Sequence, residues 1–259
     1  MPRAAAGPDS TDPVSNVVAA LYFAPAVKPA DLLARLRDSL APLAAALGGP
    51  VGPDEELDAA ILAGDLTQFE AAGEQVFLRC PGRAGTVDSF GVMFGRTRSA
   101  SRLYFSVRAG LFEPEEVREV WTRTVTVLAA LVPTLRPTFA LANGTADEEL
   151  TPVLVPLADV RRGRLPAFVT PYTFVHEALL EAAPRQRLAE AGAQIERRGD
   201  GWQIAFVPDL EASPSRDLVK AIASWLGVRD GYLQRGLPAP AARPQQGTEP
   251  RKARRPARS

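Results

Sequence analysis

The chain holds one histidine, His176, and one cysteine, Cys80, so the menu of nucleophilic and metal chemistry is short from the outset. His176 is followed by Glu177, the opening of a metalloprotease helix. That motif needs a second imidazole one helical turn on, and position 180 is Leu180. A zinc site from one imidazole and one thiolate would need carboxylates to complete it. A general base at His176 serving Cys80 or a serine has no positional support, and the plain reading is a histidine on a helix surface or in helix packing. Cys80 ends an apolar run and reads as a small buried hydrophobe. No serine sits in a Gly-x-Ser-x-Gly elbow. The glycines at 82–85 and 91–95 do not lead into a helix whose N-terminus would hold phosphate, so no dinucleotide or Walker-type loop is present. The sequence therefore offers no catalytic, cofactor-binding or metal-binding set.

Two acidic groups remain. Asp54, Glu55, Glu56 and Asp58 precede an apolar stretch, where clustered acids serve the positive end of a helix rather than paired-carboxylate chemistry. Asp147, Glu148 and Glu149 fall in a polar linker, and their functional reading is an acidic patch that meets a basic partner. An enzyme built only on carboxylates, Arg, Ser or Tyr stays open as an alternative, without a specific signal.

The elements that position these residues follow from pattern. Val17–Phe23 reads as a buried strand stopped by Pro25. The same run, with Arg3 upstream and Ala24-Pro25-Ala26 downstream, also has the outline of a signal peptide, but Asp9 and Asp12 occupy the region that should be basic. Leu32, Leu36, Leu40, Leu43 and Leu47 form one helical stripe over 28–47, which Pro42 should kink or break. Asp54 is expected to cap a short helix over Glu55–Ala63. Gln75–Cys80 reads as a strand, and Ser89–Arg96 with Arg102–Arg108 as a hairpin. Pro114 opens a helix that Pro133 ends. Its core stripe is Val117, Val120, Trp121, Val125, Leu128 and Leu131, and its many Thr and Val residues leave packing to hold it. Thr138–Ala142 returns as a strand before the linker Asn143–Glu149.

Beyond the linker lie an extended Val153–Val155, a loop with Arg161, Arg162 and Arg164, and a strand-like Ala167–Val169. Thr170 and Pro171 are expected to start a helix through Ala182, and Pro184–Ala191 a second one. Gln194–Arg198 and Trp202–Val207 flank Gly199-Asp200-Gly201, a hairpin signal. Ser213, Pro214 and Gly227 bound a last helix with a Leu218, Ile222, Trp225 and Leu226 stripe. Hairpin followed by a Pro-started helix thus occurs at 89–132 and again at 193–227. The residues of the two do not match, which leaves duplication of a ferredoxin-like unit and convergence on a common motif both open.

The expected class is α+β: a mixed or antiparallel sheet with helices on one face, over residues 16–235, with candidate halves 16–142 and 150–235. Residues 1–15 and 236–259 are expected to be disordered. A chain of 259 residues, 46% hydrophobic and 23% charged, has enough apolar surface for such a core. Formal charge is zero, yet the 236–259 tail carries Arg243, Arg251, Lys252, Arg254, Arg255 and Arg258 against Glu249, which makes it +5 and the remainder −5. An acidic body argues against nucleic-acid binding by the fold, leaving at most weak contact or a scaffold role through the tail. No apolar run reaches the roughly 20 residues of a membrane span. One cysteine excludes an internal disulfide and fits a reducing compartment.

One resemblance emerges from the order of elements. An apolar strand and a leucine-rich helix precede a Gly-Val-Met-Phe-Gly / Leu-Tyr-Phe-Ser-Val hairpin and a long amphipathic helix. Pro-Ala-Phe-Val-Thr-Pro-Tyr (166–172) follows, and Gly-Asp-Gly-Trp-Gln-Ile-Ala-Phe-Val (199–207) leads to a closing helix. Over about residues 15–228 this resembles the bacterial immunity proteins of polymorphic-toxin and type VI secretion systems, notably the immunity protein 52 type. The arginine-, alanine- and proline-rich composition fits a GC-rich bacterial genome. The resemblance implies a cytoplasmic α+β protein that binds and neutralises a cognate toxin, needing no cofactor. It carries no binding residue over.

Overall fold

The computed structural model describes residues 16–82, 87–96, 100–108, 114–145, 168–169, 172–179, 194–205 and 231–232. The expectations for 1–15, 147–149, 153–155, 161–164, 184–191, 213–227 and 236–259 lie outside that set, and with them the acidic group Asp147, Glu148 and Glu149 and the second hairpin's helix.

Strand β1 (Asn16–Phe23) is the middle of the molecule. Residues 17 to 23 are apolar without alternation, and all are buried, the most exposed at 2%. Such a run is stable only where both faces are covered and both edges paired. β1 pairs antiparallel with β5 (Ser101–Arg108) along one edge and with β6 (Phe139–Thr145) along the other. The sheet continues on the β5 side through β4 (Val87–Arg96), β3 (Gln75–Pro81) and the two-residue β2 (Gly52–Pro53). On the β6 side follow β8 (Tyr172–His176), β10 (Gly201–Ala205) and β9 (Gln194–Arg198). All eight pairings of this nine-stranded sheet are antiparallel. A separate parallel pair joins β7 (Phe168–Val169) to β11 (Gly231–Tyr232).

Five described helices complete an α+β fold: α1 (Pro29–Asp38), α2 (Leu40–Leu47), α3 (Glu56–Leu62), α4 (Leu66–Ala71) and α5 (Pro114–Leu135). Leu32, Leu33, Leu36, Leu43, Ile61, Phe69, Trp121, Leu128 and Leu131 pack onto Val17, Ala19, Leu21 and Phe23, so these helices cover one face of the sheet. The order β6-β1-β5-β4 with α1 and α5 between is that of a ferredoxin-like unit, to which β3 adds an edge. β6 and β8, from the candidate halves 16–142 and 150–235, pair in one sheet, and Asn143 to Thr145, where a linker was expected, belong to β6.

The element boundaries show which local signals governed. The stripe over 28–47 divides at Ser39, whose hydroxyl donates to the Leu36 carbonyl at 2.6 Å. Pro42 then falls in the first turn of α2, where its missing N–H costs nothing. Pro133 does not end α5, which runs two residues further to Leu135. The Arg35 guanidinium donates to the Leu135 carbonyl at 3.0 Å and satisfies that end. Thr124 and Thr126 donate to the carbonyls of Val120 and Thr122, which occupies hydroxyls that would otherwise compete with the helix. The helix start at Asp54 is shifted by one: Glu55 is the N-cap and Asp58 closes a capping box with it. Helix α4 was not expected. Its signal was Asp65, whose carboxylate accepts from the N–H groups of Thr67 and Gln68.

One expectation is reversed. The helix from Thr170 is instead β8, followed by a 3-10 turn at Glu177–Leu179. Tyr172 and Phe174 point to the helix-covered face and Thr173 and Val175 to the other, all four buried between β6 and β10. Aromatic and β-branched residues alternating on a doubly covered strand outweigh Pro171, which fits before a strand as well as at a helix start.

The β9–β10 hairpin turns on Gly199 and Asp200, with Gly199 at φ +53°, the left-handed region a tight two-residue turn demands. Beside it, Phe174 lies over Gly201: a Cβ there would stand 2.4 Å from the ring's Cζ and 2.5 Å from the Val175 carbonyl oxygen. Gly201→Ala is expected to destabilise the chain by about 1–3 kcal/mol through overpacking. Urea titration would read this as a lower midpoint, and an unchanged midpoint would show that β8 and β10 part without cost.

Candidate functional site

Cys80 and His176 are not partners. They sit on β3 and β8, five strand spacings apart, or about 24 Å at the usual ~4.8 Å per spacing. The His176 Nδ1 accepts from the Ala178 N–H at 3.1 Å, so the imidazole closes the turn after β8 instead of lying on a helix. Cys80 is buried among apolar residues, as its sequence context implies. Arg123 of α5 reaches it: one Nη donates to Asp88 at 2.9 Å, and the other lies 3.0 Å from the Cys80 Sγ and donates to the Pro81 carbonyl. Burial pushes the thiol above its usual value, and Arg123 offsets only part of this. A protonated, enclosed thiol is a poor nucleophile. The cluster ties α5 to β3 and β4.

The acids at 54–58 resolve into a structural device with a functional end. Asp58 is buried; its Oδ2 accepts from the Glu55 N–H at 3.1 Å and its Oδ1 from the Phe77 N–H at 2.7 Å. The Asp54 N–H donates to the Phe77 carbonyl at 3.1 Å. Both backbone groups of Phe77 are thus held from the β2–α3 side. Strand alternation sends Val76, Leu78 and Cys80 into the core and Phe77 and Arg79 to the opposite face, where the Phe77 ring is 40% exposed.

That opposite face is uneven. Under β1, β6 and β8 it is buried at Val18, Ala20, Tyr22, Phe139, Leu141 and Val175, with Tyr22 and Phe139 in ring contact. Over β3, β4 and β5 it is open. There Phe77 lies across Gly91, whose added Cβ would stand 2.9 Å from the ring. Met93 and Tyr104 are cross-strand partners, and both are half-buried. The Arg102 guanidinium stacks 5.2 Å from the Tyr104 centroid and against Gly95, where a Cβ would come within 3.2 Å of its Nη2. Arg79 is exposed opposite Ser89. Ser89 and Gly95 mark the two ends along β4, so the arginines bracket the face at about 20 Å, from six residues at ~3.4 Å each.

Sequence reasoning singled out none of these five side chains. Their signal was present in the strand assignments: the residues of each strand that alternation turns away from the core are Phe, Met, Tyr and Arg where a solvated face would carry Lys, Glu or Thr.

A second polar group lies at the far end of the sheet. Tyr172, Gln203, Glu196 and Arg198 share the helix-side face of β8, β10 and β9. Gln203 is buried with its Oε1 lacking a partner, and burial drives the Tyr172 hydroxyl far above its ordinary range despite the nearby Arg198 charge. Among the described residues, no three His, Cys, Asp or Glu side chains converge to hold a metal.

Cys80 and Tyr172 give a stability prediction. Both have folded values raised above the ordinary 9.0 and 10.0, so the folded state keeps its protons where the unfolded state has lost them. Their contribution is full below pH 9 and declines as pH rises past it. Urea midpoints are expected to fall from pH 9 upward in the wild type and less steeply in Cys80→Ser and Tyr172→Phe. Equal slopes in all three would remove these groups as the cause.

No family model matches the chain, and no curated protein matches it. Among solved structures it is similar to a Pseudomonas aeruginosa T6SS protein, at 16% identity and a TM-score of 0.48, over 83% of this chain and 74% of that one. Among the described residues, no helix is long and apolar enough to cross a membrane.

Proposed function

We propose that this chain is an immunity-type binding protein of the bacterial cytoplasm that neutralises a cognate toxin by covering it, and that the open face of β3, β4 and β5 is its contact surface. The observation that carries this is the exposed Phe77, with Met93 and Tyr104 beside it and Arg79 and Arg102 at the ends. Leaving a phenyl ring 40% exposed on a strand whose other side is fully buried forgoes apolar burial worth about 1 kcal/mol. Aromatic residues, Met and Arg are the side chains enriched at the centres of protein interfaces, while Lys, Glu and Asp are depleted there. The element order that resembles the immunity proteins supports the same reading, and neutralisation by binding asks for no reaction.

The patch measures roughly 20 Å by 10 Å, three strands wide, against the ~800 Å² a stable interface buries on each partner. It is therefore the anchor of an interface and not its whole extent. Anchors of this kind are rigid before binding, and the two hydrogen bonds from the β2–α3 side to the Phe77 backbone supply that rigidity.

The test is co-expression with the toxin encoded beside the gene, combined with purified binding. Wild type is expected to protect growth and bind. Phe77→Ala with Met93→Ala should weaken binding about 30-fold or more, which is ~2 kcal/mol, and abolish protection. Leu57→Ala with Leu66→Ala, at residues 41% and 40% exposed on α3 and α4, should do neither. Failure of the wild type to bind or protect would overturn the immunity reading. Loss of binding in the Leu57 and Leu66 variant alone would move the contact to the helices.

A further inference from the structure

We infer that the partner segment seated on the β3–β5 face is acidic: a protein surface with carboxylates at two points about 20 Å apart and an apolar side chain between them. The inference rests on reading this face as the contact surface, and it adds the chemistry of what is contacted.

The charge pattern is one-signed. Between Gln75 and Tyr104, none of the positions that β3, β4 and β5 turn to this face is Asp or Glu. Asp88, which sits on β4, is on the core side and is taken by Arg123. Among the described residues, neither Arg79 nor Arg102 has an ion-pair partner, whereas Arg123, Arg197 and Arg198 each hold a carboxylate. Arg102 also has an Nε–H without an acceptor among the described residues.

The geometry favours carboxylates over a diffuse attraction. The Arg102 guanidinium lies over the Tyr104 ring, 5.2 Å from its centroid, and beside Gly95, so both neighbours restrain it, and a guanidinium is the group that receives a carboxylate through two parallel hydrogen bonds. Little side-chain entropy is left to lose when it binds. Arg79, at the opposite end, is exposed and can meet a second acidic group. Phe77 and Met93 occupy the ground between, and an apolar side chain laid there lowers the local dielectric and strengthens both charge contacts. A basic partner would set its charges against both arginines with no acid on the face to receive them, at a cost of several kcal/mol in like-charge contact.

The test uses two fluorescent peptides with the full chain. Each has two pairs of charged residues separated by about six residues with a central leucine, matching the ~20 Å span in extended form; one carries glutamates and the other lysines. By anisotropy the glutamate peptide is expected to bind and the lysine peptide not. Arg79→Ala with Arg102→Ala should weaken glutamate-peptide binding about tenfold or more, as should raising salt from ~50 to ~500 mM. Arg37→Ala, at an exposed arginine on α1, should leave it unchanged. Arg79→Ala alone removes an exposed side chain, keeps the fold, and should give part of the loss.

Equal binding of both peptides overturns the inference. So does an unchanged affinity in the double variant, or no glutamate-peptide binding at about 1 mM. Peptide failure with toxin protection intact strikes this inference alone. Protection lost while the glutamate peptide still binds strikes the immunity reading alone.

Discussion

Everything described depends on seven consecutive apolar residues, Val17 to Phe23, being buried on both faces and paired along both edges. A strand of that kind has no tolerable position at a sheet edge or under open water, so it must be central. Its ladder with β5 places the β4–β5 hairpin on one side, and its ladder with β6 places β8 on the other. The constraint reaches the helices through the exit from β1. Ser101, at the start of β5, donates to the Val27 carbonyl at 2.9 Å and accepts from the Val27 N–H at 3.0 Å. Thr138, just before β6, does the same for Ala24 at 3.1 and 3.0 Å. Two hydroxyls carried by the neighbours of β1 thus hold both backbone groups at two points of the loop that leads into α1. The loop is partly buried, and a backbone group enclosed there without a partner would cost about 1–3 kcal/mol.

Helix α1 is then fixed over the sheet, and α5 is fixed against it by the Arg35–Leu135 bond at one end and by Arg123 at β3 and β4 lower down. The polar residues on the helix side are ties between elements. Asp58 looks in sequence like a candidate for chemistry, and in the fold it and Arg123 each spend their charge on backbone groups and a neighbouring strand. Charged groups enclosed in this way are costly when unpaired, which is why each is committed to two or more partners.

The fold class and most element types could be read from residue pattern because period and burial agreed. The leucines of 32–47, the hairpin 89–108 and the Gly199-Asp200 turn each had one stable solution. The reading failed where two rules competed. Pro171 marks a helix start by position, but Tyr172 to Val175 alternate as a strand, and only the presence of β6 and β10 on either side decides between them. Asp65 was a sound cap before a helix too short to show a period. The candidate site was invisible for a different reason: Phe77, Met93, Tyr104 and Arg102 lie on three strands, and their meeting depends on the β3–β4 and β4–β5 register, which no local pattern states. The acidic group at 147–149 was conspicuous because it is contiguous. It lies outside the described residues.

The same alternation separates the two roles of β3, β4 and β5. Val76, Leu78, Phe90, Val92, Leu103 and Phe105 face the core and hold these strands to the helices. The residues between them contribute little to that, and Gly91 and Gly95 contribute no side chain at all. They leave room instead, one for the Phe77 ring and the other for the Arg102 guanidinium. A surface built this way can change its side chains without disturbing the core side chains of the adjacent residues, while the Phe77 backbone stays clamped by Asp58 and Asp54. For the contact surface proposed above, this gives a separation of binding from stability. A two-faced strand provides it from a period of two residues alone.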